Sequence, residues 1–206
     1  AWTQSVSPAR WLAAKLAVPA VLIVAGMVPL TLLHRMMWAA NPELRQDTWS
    51  WYDSQIFESN GILATVLALL GLAVGVLAGL ATRRSLPGLG IALGVTVIVI
   101  QQFHSLRPHL WPAETRQSPD GFPDHDGMTV AKGSYTSTGD RLPDLFCGDS
   151  ASCIARNDVA GVYRDYHTSA HFWPLQLVET GIVLALTAVA ALAAFALLKR
   201  RTGAAV

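Results

Sequence analysis

His167 and His171 stand four residues apart, the spacing at which two imidazoles on one helix face reach a single metal ion. Asp165, His104 and His109 are further candidate donors. No H-E-x-x-H signature accompanies them, and histidines are common at a membrane interface, so metal binding is the minor reading and no cofactor is expected. Glu179 sits about one turn inside an apolar run that begins at Leu175, with Gln176 one turn before it. A carboxylate in such a run is costly and usually faces a helix bundle or a wet cavity. Its expected partner is a polar group at the end of the preceding apolar run: Gln101, Gln102, His104 or Arg107. The alternative is a carboxylate close enough to the interface to reach water. Cys147 and Cys153 are the only cysteines; their spacing suits a disulfide around a local turn, with two free thiols or half a metal site as the alternatives. The sequence has no Walker A lysine loop, G-x-S-x-G, C-x-x-C or dinucleotide fingerprint, so covalent catalysis is not visible in it.

The elements that position these residues are apolar. Of 206 residues 52% are hydrophobic and 14% charged, against roughly 25% charged in a soluble domain. Leu16 to Leu33, Gly61 to Thr82 and Leu86 to Phe103 carry no charge, and Leu175 to Leu198 carries only Glu179. At about 1.5 Å per residue, each approaches or exceeds the roughly 30 Å hydrocarbon core of a bilayer. The reading is an all-α integral membrane protein with four transmembrane helices, about residues 12–33, 61–82, 86–103 and 175–198. A soluble bundle rarely contains such uncharged runs. Residues 1–103 then hold three spans with short loops, 104–174 an extracytoplasmic loop, and 175–206 the last span and a basic tail. The first apolar run is too long for a signal-peptide core and is not followed by a small-x-small cleavage site and a soluble domain.

Orientation follows from basic residues. Arg10 and Lys15 precede the first span, Arg83 and Arg84 join the second to the third, and Lys199, Arg200 and Arg201 follow the fourth. Placing all three clusters in the cytoplasm satisfies the positive-inside bias and puts both chain ends inside. Trp11, Trp38, Trp111 and Trp173 then fall near helix ends, where an indole bridges apolar and aqueous phases. The basic residues form no stripe, so no nucleic-acid partner is expected.

Pro19 and Pro29 predict a bent first helix, unless Pro19 lies in the first turn of a helix that starts late. Gly71, Gly75 and Gly79 in the second span and Gly90 and Gly94 in the third form G-x-x-x-G faces suited to close packing of antiparallel neighbours. Glycine is also abundant in membrane helices generally. Residues 108–156 have the composition of turns and irregular chain. Val159, Val162, Tyr163, Tyr166 and Ala170 follow helical spacing, which predicts an amphipathic surface helix over about 158–171, capped by Asn157 or Asp158.

Three segments carry a family resemblance: Ala1-Trp2-Thr3-Gln4-Ser5-Val6 and the residues on to Lys15; Gly61 through Thr82 with Arg83-Arg84-Ser85-Leu86-Pro87; and Tyr166 through Gln176 with Glu179-Thr180-Gly181. Together they resemble actinobacterial permeases of the type-2 ATP-binding-cassette exporter class, over most of the chain except about Pro112 to Arg156. The resemblance implies six helices per permease, a dimer or paired permease in the plasma membrane, contact with membrane lipid, and a separate cytoplasmic ATPase as partner. The four spans here would be the third to sixth, the first two helices being absent. Arg10, Arg83 and Arg84 would lie at the ATPase contact. The expected function is therefore the membrane path of an ATP-driven exporter, not an enzyme. The alternatives are a membrane metal or redox protein using His104, His109, His167 and His171, and a non-transporting scaffold or immunity protein.

Overall fold

In the computed structural model, which describes residues 7–43, 49–123, 127–143 and 145–203, Ser7 opens the first helix. Its hydroxyl accepts the Arg10 N–H, and Pro8 occupies the first turn, where a missing N–H costs nothing. Helix α1 (Pro8–Ala40) therefore starts before residue 12, and both Pro19 and Pro29 are interior. The chain continues through α2 (Ser54–Ser59), α3 (Leu63–Thr82) and α4 (Ser85–Leu106). Beyond them come β1 (Glu114–Ser118), β2 (Met128–Thr136), β3 (Arg141–Pro143), α5 (Ala151–Asn157), β4 (Val159–His167) and α6 (Phe172–Gly203). Among the described residues four helices, α1, α3, α4 and α6, are long and apolar enough to cross a membrane.

Helix α3 is the centre of the bundle and packs on both α4 and α6, while α1 leans on α3 and leaves most of its surface open. The core gathers at the end nearest the sheet, where Phe57, Leu63, Leu70, Phe103, Leu175 and Val183 are buried together. At the opposite end, the tail side, the Arg201 guanidinium donates to the carbonyls of Leu80 and Ala81. A cation there satisfies orphan acceptors at the negative end of α3.

Glycine packing joins α3 to α4, through glycines the spacing suggests on α3 but a different one on α4. A side chain at Gly71 would meet Thr96, and one at Gly75 would meet Ala92. The closest approach is at Gly88, where a Cβ would lie 2.9 Å from Gly79 N. Gly90 and Gly94 face away, with nothing within 4 Å of an added Cβ. Gly88 and Gly90, two residues apart, point to opposite sides because a helix turns about 100° per residue.

The expected all-α class needs correction. Residues 114–167 include a four-stranded antiparallel sheet of order β1-β4-β2-β3. The predicted amphipathic helix over 158–171 is instead strand β4, followed by a 3-10 turn at Ser169–His171. Val159, Val162, Tyr163 and Tyr166 fit helical spacing, yet β-branched and aromatic residues favour a pleated surface once strands flank them. β4 is flanked by both β1 and β2 and buries Val162, Tyr163 and Tyr166 from its two faces, which hides the alternation a half-exposed strand would display. Asn157 and Asp158 cap the end of α5 rather than the start of a helix: Asp158 takes a left-handed conformation, φ 50°, and turns the chain into β4. Cys147 and Cys153 form a disulfide at the start of α5.

Candidate functional site

Arg107 follows the last turn of α4, and Pro108 diverts the chain into a 3-10 turn. Phe103 and Arg107, one helical turn apart, face inward. The guanidinium donates from Nε to Glu179 Oε2 at 2.9 Å and from Nη2 to Oε1 at 3.1 Å. Both residues are only 2% exposed. Glu58 of α2 brings its Oε1 to 3.5 Å from Arg107 Nη2, and His104 Nε2 meets the same oxygen at 3.0 Å. Beneath them the Phe57 ring supports the guanidinium at 4.0 Å. A two-point arginine–carboxylate bond in a water-poor setting has specific geometry, and removing either member leaves an uncompensated charge.

The rest of the cluster follows from α2. This short helix ends at Asn60, whose N–H bonds to Ile56 O, and the turn presents the Phe57 carbonyl to α6. Gln176, fully buried, donates Nε2 to that carbonyl, and its amide occupies the space a Cβ at Gly61 would need. Gln176 Oε1 and Thr180 Oγ1 are buried without a hydrogen-bond partner. Thus α6 turns a polar face, Gln176, Glu179 and Thr180, toward its neighbours. Gln101 and Gln102 do not join it; they are exposed on the other side of α4, out of phase with Phe103 and Arg107.

A second joint ties α1 to the same region. His34 Nδ1 lies 2.9 Å from Asn60 Oδ1, Arg35 donates to the Asn60 carbonyl at 3.4 Å, and the Arg35 guanidinium stacks over Trp173. The sequence reading singled out neither Glu58, Phe57 nor Asn60. Their signal was weak: an acid and an amide just ahead of an apolar run.

His167 and His171 meet at the foot of the sheet. His167 Nε2 must donate to the Pro108 carbonyl at 2.9 Å, so Nδ1 of the neutral ring accepts from His171 Nδ1 at 3.0 Å. His171 Nε2 then faces Glu114 Oε1 at 3.6 Å. Burial, reinforced by His171 and His109, lowers the His167 pKa below its ordinary value, against the raising influence of the Pro108 carbonyl and Glu114. A lowered imidazole pKa makes the unfolded chain bind the proton more readily, so this contribution is present above about pH 6.5 and lost as pH falls toward the folded value. Acidification from about pH 7.5 to 5 is therefore expected to lower the amide protection factors, exchange corrected for its intrinsic pH dependence, in β4 and the facing part of β2. His167→Gln should flatten that dependence, and equal protection factors at both pH values in the native chain would refute it.

The histidines do not converge on one point: His104 engages Glu58, His167 and His171 engage each other, and His109 is exposed. Among the described residues no group of three or more histidines, cysteines, aspartates or glutamates is arranged to hold a metal ion. Asp165 instead accepts from Thr115 at 2.6 Å and Arg141 at 2.9 Å on the sheet. Arg10, Arg83 and Arg84 are exposed at the tail side, with Arg83 in a left-handed turn that caps α3.

No curated protein and no solved structure matches the chain. Residues 1–107 match the family described as ABC-2 membrane transporter related. That span covers α1 to α4 and ends on Arg107 itself, the residue that closes the buried ion pair. With more than half its length matched and four helices able to cross a membrane, the chain belongs to the ABC-2 membrane transporter related family.

Proposed function

We propose that this protein is the permease subunit of an ATP-driven exporter, a membrane path moved by a separate cytoplasmic ATPase. The observation that carries the reading is the family match over residues 1–107. Orientation is supported by the basic clusters at the tail side and by a disulfide at the opposite, sheet-bearing side. In this reading the tail side faces the cytoplasm of a plasma membrane, and Arg10, Arg83 and Arg84 meet the ATPase. Two permeases pair to complete the path.

The chemistry is conformational. Arg107 bridges α2, α4 and α6, so a movement that separates these elements must break a desolvated ion pair. Such a bond favours two discrete arrangements over a continuum. The cluster acts as a latch at the external end of the path, closed in this state.

Co-expression with an ATP-binding-cassette ATPase tests the reading. The ATPase is expected to co-purify with the chain and to hydrolyse ATP faster in its company. Arg83→Glu with Arg84→Glu should lower both several-fold while leaving thermal stability unchanged. Failure of every such ATPase to co-purify, with the chain well folded, would count decisively against it.

A further inference from the structure

Between α1 and the α3–α6 pair, two cavities share Arg35, Asn60 and Trp173 and so form one cleft. The part nearer the sheet, about 320 Å³, is walled by Trp38, Trp51, Phe172 and Trp173. The deeper part, about 170 Å³, is walled by Val28, Leu32, Ile62 and Thr65. Among the described residues, Arg35 is the only charged side chain lining either part. It has no carboxylate within ion-pair distance among the described residues; its contacts are the Asn60 carbonyl and the Trp173 ring. Trp51 adds an aromatic ring packed on Tyr52 and Phe172.

The polarity runs one way. One cation and an aromatic wall stand at the top, and Val28 lies about 10 Å further down α1 along an apolar wall. A free anion would satisfy the top and leave the lower wall unfilled. A further helix, about 10–12 Å across, does not fit the deeper part, whereas an acyl chain does.

We propose that this cleft binds one phospholipid with an anionic headgroup. Its phosphate sits against the Arg35 guanidinium, beside the tryptophan wall, and one acyl chain runs between α1 and α3 past Leu32, Ile62 and Val28. The proposal rests on the membrane-spanning reading alone and not on ATPase coupling, so it stands or falls separately from transport.

Native mass spectrometry of the purified full chain tests it, with phosphatidylglycerol and phosphatidylcholine of identical acyl chains added in turn. One phosphatidylglycerol per chain is expected at several-fold lower concentration than phosphatidylcholine. Arg35→Gln should weaken phosphatidylglycerol binding about fivefold, the size of one cation near a charged headgroup, and abolish the preference. Trp173→Leu removes the ring that holds the Arg35 guanidinium in the cleft; a loss of about threefold is expected, and this variant carries the test if Arg35→Gln fails to fold. Arg156→Gln on α5, far from the cleft, should change nothing, and excess inorganic phosphate should not displace the lipid. The proposal is overturned by equal retention of the two lipids, by an unchanged preference in both cleft variants, by displacement with phosphate, or by lipid-free dimers in which a second copy fills the cleft.

Discussion

Glu179→Leu lowers stability by about 3 kcal/mol, the lower end of the range for breaking a buried pair. The variant leaves Arg107, 2% exposed, with no bidentate partner in its apolar surroundings. Glu58, 3.5 Å away and 20% exposed at its side chain, offsets part of that loss. Arg107→Met is expected to cost a similar amount, because Glu179 has no other hydrogen-bond or ion-pair partner among the described residues and is equally buried. The double variant should regain most of the loss, since two apolar side chains of similar volume replace both charges and the Phe57 ring keeps a neighbour. Thermal unfolding in detergent of wild type, both single variants and the double variant gives the coupling, expected at about 2–3 kcal/mol. Independent, additive losses would mean that the pair does not hold α4 to α6.

In a transporter, the same cycle should separate stability from motion. If the pair is a latch, the double variant folds yet leaks between the two sides of the membrane or uncouples ATP hydrolysis from transport. A purely structural pair would leave transport in the double variant near the wild-type rate.

Gly88→Val is the second large effect, a loss of about 1–3 kcal/mol from overpacking. Its new Cβ would stand 2.9 Å from Gly79 N and 3.0 Å from Gly79 Cα, backbone atoms that cannot rotate away. Helices α3 and α4 must then separate at the short connection that joins them. Gly90→Val and Gly94→Val, whose added Cβ atoms meet nothing within 4 Å, should stay within about 0.5 kcal/mol of wild type in the isolated chain. The three variants have the same chemistry, and Gly88 and Gly90 differ by only about 3 Å along the helix, so that pair isolates packing. A loss at Gly90 or Gly94 that matched Gly88 would show that another copy covers the outer face of α4.

These glycines illustrate how far sequence reaches. The G-x-x-x-G spacing marks the face of α3 that meets α4, through Gly71 and Gly75, but on α4 the glycine in contact is Gly88, not Gly90 or Gly94. Which face of α4 turns inward depends on helix phase about its axis, set by where Ala92, Phe103 and Arg107 find partners. The same phase decides the partner of Glu179. Four candidates lay close together in sequence, and geometry joined Arg107 to it, set His104 on Glu58 and left Gln101 and Gln102 outside.

By itself the sequence determined the four long apolar helices, the distribution of basic residues and the cysteine pair that forms the disulfide. Each depends on local quantities, because an uncharged run of this length has few alternatives to a helix in lipid, whose backbone bonds close within the segment. Tertiary structure alone decided the sheet and the ion-pair cluster. β4 pairs with strands beginning at Glu114 and Met128, and the Val159–Tyr166 pattern fits helix or strand until those partners arrive. Arg107 and Glu179 are likewise distant in sequence, and the strength of their bond comes from a desolvated setting that exists only once α2, α4 and α6 have packed.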